Sequence, residues 1–116
     1  YPGHARKVMH ALWGVGLLML AKVIIVVDHD VNIQNPSEVA WKVAGNLNPE
    51  TDVMLTEGPL DDLDYSSPIA KYGSKIGIDA TSKSHEDGFQ REWPDEIVMS
   101  KQIVDQVNRR WPEFNL

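Results

Sequence analysis

Apolar residues recur at three- and four-residue steps over the first twenty positions: Ala5, Val8, Met9, Leu12, Val15, Met19 and Leu20. That spacing predicts a helix from His4 to about Leu20. Arg6, Lys7 and His10 give its first turns a polar face. The polarity disappears from Leu17 to Leu20, so the second half of the helix is expected to be deeply buried. Gly14 and Gly16 weaken helix propensity and point to close packing against another element. The pattern then changes. Val23 to Val27 are all β-branched, which predicts a strand over about Val23 to Asp28. A segment apolar on every residue is expected to be buried on both faces, as in a sheet covered by helices. It ends in Asp28-His29-Asp30-Val31-Asn32, and ligands of open α/β sheets gather at such strand ends.

A second helix opens at Asn35-Pro36-Ser37-Glu38. Asn35 suits an N-cap, Pro36 the first helical position, and Glu38 is expected to complete a capping box. Val39, Val43, Ala44 and Leu47 mark its inner face, and Gly45-Asn46 and Pro49 end it. Asp52 to Thr56 reads as a short second strand. Gly58 to Ser74 is a long loop rich in Pro, Asp, Ser and Gly, and loops of that length inside a compact domain are commonly functional. Lys75 to Ala80 alternates as a third strand with Ile76 and Ile78 on one face. Ser84 to Pro94 is a polar loop carrying Phe89 and Trp93. Ser100 caps a last helix with an apolar stripe of Ile103, Val104, Val107 and Trp111, and Pro112 stops it. The expected fold class is α/β: a small sheet of about three or more strands packed with helices, in a single domain over residues 1–116. So small a sheet beside so apolar a first helix implies surface covered by another domain or subunit.

Composition narrows the classes. The 116 residues carry a net charge of −6, which argues against nonspecific binding to nucleic acid or anionic membrane. There is no cysteine, which removes disulfides and thiolate chemistry and suits a cytoplasmic setting. The apolar run from Ala11 to Val27 is short for a bilayer and is interrupted by Lys22, so no transmembrane segment is expected. Tyr1-Pro2-Gly3-His4 reads as a turn entering a helix, and the chain is expected to be a piece of a longer protein.

Chemistry-bearing clusters are few. Asp28-His29-Asp30 could ligate a divalent metal, but consecutive residues leaving a strand point apart, and a capped strand end is the simpler reading. Asp61-Asp62-Leu63-Asp64 lacks the spacing, glycine and closing glutamate of an EF-hand and reads as a solvated acidic turn. Leu60, Leu63 and Tyr65 are apolar residues in a polar loop that must pack on the domain's own core or on a neighbouring pocket. Gly73-Ser74-Lys75-Ile76-Gly77 lacks P-loop spacing and precedes no helix. The histidines at 4, 10, 29 and 85 show no metal-binding spacing.

Several segments occur in a telling order: Tyr1-Pro2-Gly3-His4-Ala5, Val26-Val27-Asp28-His29-Asp30-Val31-Asn32, Leu63-Asp64-Tyr65-Ser66-Ser67-Pro68, Gly73-Ser74-Lys75-Ile76-Gly77-Ile78-Asp79-Ala80-Thr81-Ser82-Lys83, and Arg91-Glu92-Trp93. Together they resemble the carboxy-terminal domain of the UbiD family of decarboxylases, typified by 3-polyprenyl-4-hydroxybenzoate decarboxylase of quinone biosynthesis. The resemblance covers nearly the whole chain and is nearer the quinone-pathway branch than the fungal phenylacrylic-acid branch. It implies non-oxidative decarboxylation of an aromatic acid, 4-hydroxy-3-polyprenylbenzoate or a related quinone precursor. It also implies an upstream domain of the same chain that binds prenylated FMN with Mn²⁺ and K⁺ and supplies a Glu-Arg-Glu catalytic set. No catalytic, cofactor-binding or metal residue of that set matches here, so this segment alone is expected to be inactive. The family's carboxy-terminal domain assembles a homo-oligomer, hinges over the active site and lends apolar residues to the substrate pocket. The pocket-lining segment corresponds to Gly58 to Pro68, and Pro59, Leu60 and Leu63 are the implied substrate-pocket residues. A prenylated substrate would make the cytoplasmic enzyme membrane-peripheral.

Two other readings compete. The strand ending Val-Val-Asp-His-Asp is superficially like the acidic pocket of a receiver-type signalling module, although Thr56-Glu57 stands where a phosphoacceptor is expected. A purely structural oligomerisation domain is the third.

Overall fold

The computed structural model describes residues 1–115. Helix α1 spans His4–Gly14 and is followed by a 3₁₀ turn, Leu17–Leu20, and strand β1, Val23–Val26. Helices α2 (Pro36–Asn46) and α3 (Pro49–Asp52) lead into β2 (Val53–Pro59) and β3 (Tyr72–Asp79). Helix α4 covers Lys101–Arg110 and runs into a 3₁₀ turn, Trp111–Phe114.

The strands form one sheet in the order β1-β3-β2. β2 and β3 pair antiparallel, with Leu55 opposite Ile76, and β1 joins β3 in parallel, with Val23 opposite Ile76. A parallel pair needs a long crossover, here supplied by α2, α3 and β2. The antiparallel β2–β3 pair is not the parallel sheet of a receiver module, and that reading falls.

Strand alternation assigns the faces. Ile24, Met54 and Gly77 lie under α1, where Ala5 and Met9 complete the buried core and Trp13 and Leu12 flank it. Glycine at 77 follows from the closeness of that contact: a β-carbon there would lie 2.5 Å from the Met9 Sδ and 3.2 Å from the Trp13 ring. The opposite face is open. Val23, Ile25 and Leu55 are exposed on it and Ile76 is half-buried. The expectation that β1 is covered on both sides is therefore corrected: α1 covers one face of the sheet, and β1 is an edge strand.

The first helix is also shorter than its periodicity predicts. It ends at Gly14, and Gly16 takes a φ of 72°, a left-handed value that favours glycine. The Trp13 indole N–H donates to the Ala21 carbonyl at 2.8 Å and closes the reversal. The Leu17–Leu20 turn is thrown outward rather than buried; Leu17 is 89% exposed. In α2 the Asn35 side chain caps Ser37 and Glu38 N–H as expected. The Asn35 N–H, however, donates to the Asn32 carbonyl at 3.0 Å, so Glu38 closes no capping box. Pro49 opens α3 instead of merely ending α2, with Asn48 as its cap. Among the described residues no helix is long and apolar enough to cross a membrane.

Candidate functional site

Residues 60–71 connect β2 to β3, and the sheet holds this loop at its base. The Leu60 N–H donates to the Lys71 carbonyl at 2.8 Å. The Leu60 side chain, 3% exposed, packs where Gly73 leaves room; a β-carbon at 73 would lie 2.9 Å from the Leu60 Cδ1 and 2.6 Å from the Ser67 Oγ. Two Asx turns follow. Asp61 accepts from the Leu63 N–H at 2.8 Å, and Asp64 accepts from the Ser66 N–H at 3.0 Å and its hydroxyl at 2.7 Å. Lys22, at the start of β1, donates to Asp64 at 2.8 Å and to the Ser66 hydroxyl. Lys71 pairs with Asp62 at 3.2 Å. The Lys22 hydrogen bond, then those from Ser66, lower the Asp64 pKa to about 2.

The three residues expected in a substrate pocket take different places. Pro59 is exposed at the end of β2, opposite Tyr72. Leu60 is core. Leu63, 83% exposed, and Tyr65, 96% exposed, stand out at the tip. The loop thus presents an apolar and a phenolic side chain from a rigid base. Its carboxylates are engaged in the Asx turns and in the ion pairs with Lys22 and Lys71, which leaves Leu63 and Tyr65 as the side chains that the loop presents outward. Lys22 was legible only as a charge interrupting an apolar run; its partner Asp64 lies 42 positions away.

A second polar region gathers at the carboxyl ends of the parallel strands. Asp28 accepts from both the N–H and the hydroxyl of Ser82, at 3.0 and 2.9 Å, tying the end of β1 to the segment after β3. Lys83 lies 3.3 Å from Asp79 and 3.8 Å from the buried Asp52. Asp52 also accepts from the Asn48 N–H at 2.8 Å. Asp28, Asp79, Ser82 and Lys83 line a cleft of about 610 Å³ that also meets His4 and His29. Their hydrogen bonds are made to one another, which reads as structural tying of strand ends. Among the described residues no three His, Asp or Glu side chains converge as metal ligands.

The Gly73–Gly77 stretch does not fit a flavin phosphate. Its glycines accommodate Leu60, Ser67, Met9 and Trp13, and Lys75 between them is 3% exposed and donates to the Met19 carbonyl. Burial pushes the Lys75 ammonium below the ordinary lysine range. Its charge is spent on the Leu17–Leu20 turn.

Residues 1–80 match the family of 3-octaprenyl-4-hydroxybenzoate carboxy-lyase C-terminal domains. A protein of Archaeoglobus fulgidus is 45% identical over 98% of this chain, and one of Aeropyrum pernix 42% identical over all of it. The chain spans 24% of the length of each. Among solved structures, vanillic acid decarboxylase of Sedimentibacter hydroxybenzoicus in its open form superposes with a TM-score of 0.79 at 26% identity, over 97% of this chain and 25% of that one. The UbiD-class enzyme HmfF of Pelotomaculum thermopropionicum, in complex with FMN, gives 0.71 at 28% identity, over 90% and 22%. The helix-covered three-stranded sheet, the order of its motifs and these matches agree: the chain belongs to the UbiD family, as its carboxy-terminal domain.

Proposed function

We propose that this chain is the part of a prenylated-FMN-dependent aromatic-acid decarboxylase that closes over the substrate and joins subunits. The flavin, with Mn²⁺ and K⁺, would be held by the remainder of the enzyme, and no step of the chemistry is assigned to residues here. The observation that carries the reading is the loop of residues 60–71: its base is fixed by Leu60 and by Lys22–Asp64, while Leu63 and Tyr65 face outward. A fixed apolar tip suits a wall that excludes water from a developing carbanion-like centre. The relation to HmfF, solved with FMN, supports the flavin, and the relation to vanillic acid decarboxylase supports an aromatic acid. A 4-hydroxy-3-polyprenylbenzoate or a related quinone precursor is the substrate we favour, on the resemblance of the motifs.

The test is Leu63→Ala in the full-length enzyme loaded with prenylated FMN. An exposed side chain contributes within about 0.5 kcal/mol to stability, so the melting temperature should hold. Loss of an apolar pocket contact worth about 1.5 kcal/mol would lower kcat/KM roughly tenfold. Leu60→Ala is the contrasting variant: it should cost about 2–5 kcal/mol of folding stability through the cavity it leaves. Wild-type kcat/KM in Leu63→Ala, across a panel of hydroxybenzoates, would remove the loop tip from the pocket.

A further inference from the structure

We propose that Lys22 is a positioning residue for the decarboxylation: by holding Asp64 it sets where Leu63 and Tyr65 stand against the substrate. The inference deepens the closing role proposed above and rests on it.

The backbone at Lys22 is tied to the fold on its own account. Its carbonyl accepts from the Ile76 N–H at 2.9 Å, which places it on the ladder of the central strand β3. The carbonyl before it, of Ala21, is held by the Trp13 indole at 2.8 Å. From this point the side chain reaches Asp64. The Lys22 Nζ donates to one carboxylate oxygen at 2.8 Å, while the other oxygen accepts from the Ser66 N–H and hydroxyl. The Nζ also donates to the Ser66 hydroxyl. Both oxygens of Asp64 are thereby occupied, and only 13% of its side chain is exposed.

The other ties of the loop are made within the β2–β3 hairpin itself. Leu60 meets Lys71 across the base, Asp61 turns back to the Leu63 N–H, and Lys71 pairs with Asp62. Both partners of that last pair are well exposed, where an ion pair contributes little. Among the described residues, Lys22 makes the only hydrogen bonds or ion pair that reach residues 60–71 from outside the hairpin. It arrives at the residue between Leu63 and Tyr65, the two side chains that stand out at the tip. Swinging the tip about its base requires this contact to break.

Energetics separate position from stability. The Lys22 side chain is 43% exposed, and a partly exposed pair adds little to folding. A misplacement of about 1 Å at a site, by contrast, can slow a reaction by about a hundredfold. The pair therefore matters more to the placement of the tip than to the fold.

The experiment uses the full-length enzyme loaded with prenylated FMN. It compares Lys22→Met, Lys22→Arg, Leu63→Ala and a variant carrying both Lys22→Met and Leu63→Ala. Melting temperature and amide hydrogen exchange are measured beside kcat/KM on a panel of hydroxybenzoates. Lys22→Met should keep the melting temperature, speed exchange in residues 61–67 and lower kcat/KM by about five- to tenfold. Lys22→Arg should restore both exchange and kcat/KM, since a guanidinium makes the same charge-assisted contact with a carboxylate. The loss in the double variant should fall well short of the product of the two single losses, because Lys22 acts through a side chain that is already missing. Wild-type kcat/KM in Lys22→Met beside a slowed Leu63→Ala overturns the positioning role and leaves the closing role standing. So do unchanged exchange in the loop and single losses that multiply in the double variant. Failure of Lys22→Met to fold does the same, since it places the work of the lysine in the fold. Wild-type kcat/KM in Leu63→Ala overturns the closing role and this inference with it.

Discussion

A single methyl group added at position 77 would enter space that Met9 and Trp13 already fill. Met9 is almost completely buried, so its sulfur cannot swing into solvent. Gly77→Ala should therefore lower stability by about 1–3 kcal/mol, the usual range for overpacking, even though alanine reduces unfolded-chain entropy. Urea denaturation measures this directly. An unchanged midpoint would mean that α1 can lift from the sheet without loss. The Lys22–Asp64 pair gives a second residue-scale expectation, and its sign is fixed by the direction of the shift. The carboxyl has a folded pKa of about 2, against an ordinary value of 3.8. Its contribution is complete above pH 4 and is lost as pH falls through 2. Carbon-detected NMR titration should find Asp64 ionised at pH 3, and the amides of residues 60–71 should lose exchange protection only below that. Titration at the ordinary value would mean that the lysine does not hold the loop. The residues of the site were half legible. Leu63 and Tyr65 are visible in sequence as apolar residues among polar ones, whereas the difference between Leu60 as core and Leu63 as tip depends on Gly73, a contact made only once the hairpin closes.

Elements were legible where their signals are local. Asn35 and Ser100 each cap the helix that their position foretells, whereas Asn48 caps α3, a short helix that the reading of Pro49 as a terminator missed. Asn35→Ala should cost about 1 kcal/mol by freeing two N–H groups at the start of α2. Calorimetry would read it as a drop in melting temperature; no drop would mean that Ser37 and Glu38 find water at no penalty. Elements were misread where two local signals conflict. Apolar periodicity carries α1 to Leu20, but Gly14 and Gly16 stop it. The glycines decide because the indole of Trp13 can then reach the Ala21 carbonyl and stabilise the reversal. β2 and β3 each run further toward the loop than their apolar residues suggest. Antiparallel pairing extends through Glu57–Ser74 to Pro59–Tyr72, positions whose side chains are polar or turn-forming but whose backbones lie in register.

At the scale of the whole molecule, the fold class and the three-strand sheet follow from patterning, and the sheet's uneven coverage does not. An all-apolar strand reads as buried on both sides, and nothing in Val23 to Val27 says what buries the second side. The apolar stripe of α4 poses the same question from the other direction. Each is a surface without a partner in this chain's own fold, which explains how correct helices and strands add up to an extended body rather than a compact one. The sequence separation of the ties matters as well. Lys83 reaches Asp52 across 31 positions and Lys22 reaches Asp64 across 42, and neither pairing has a local signature.

Two lysines hold the Leu17–Leu20 turn and the loop of residues 60–71 to the same piece of sheet. Lys75 grips the Met19 carbonyl from below, and Lys22, two residues past that turn, grips Asp64 and Ser66. Mechanically this is a bracket: turn, strand start and loop are joined to one piece of sheet through two lysine side chains. The loop's stiffness is borrowed from the sheet. Under the proposed closing role, Leu63 would travel as the end of a lever whose pivot lies outside the bracket, its reach set by how far the whole domain turns and not by how far the loop bends.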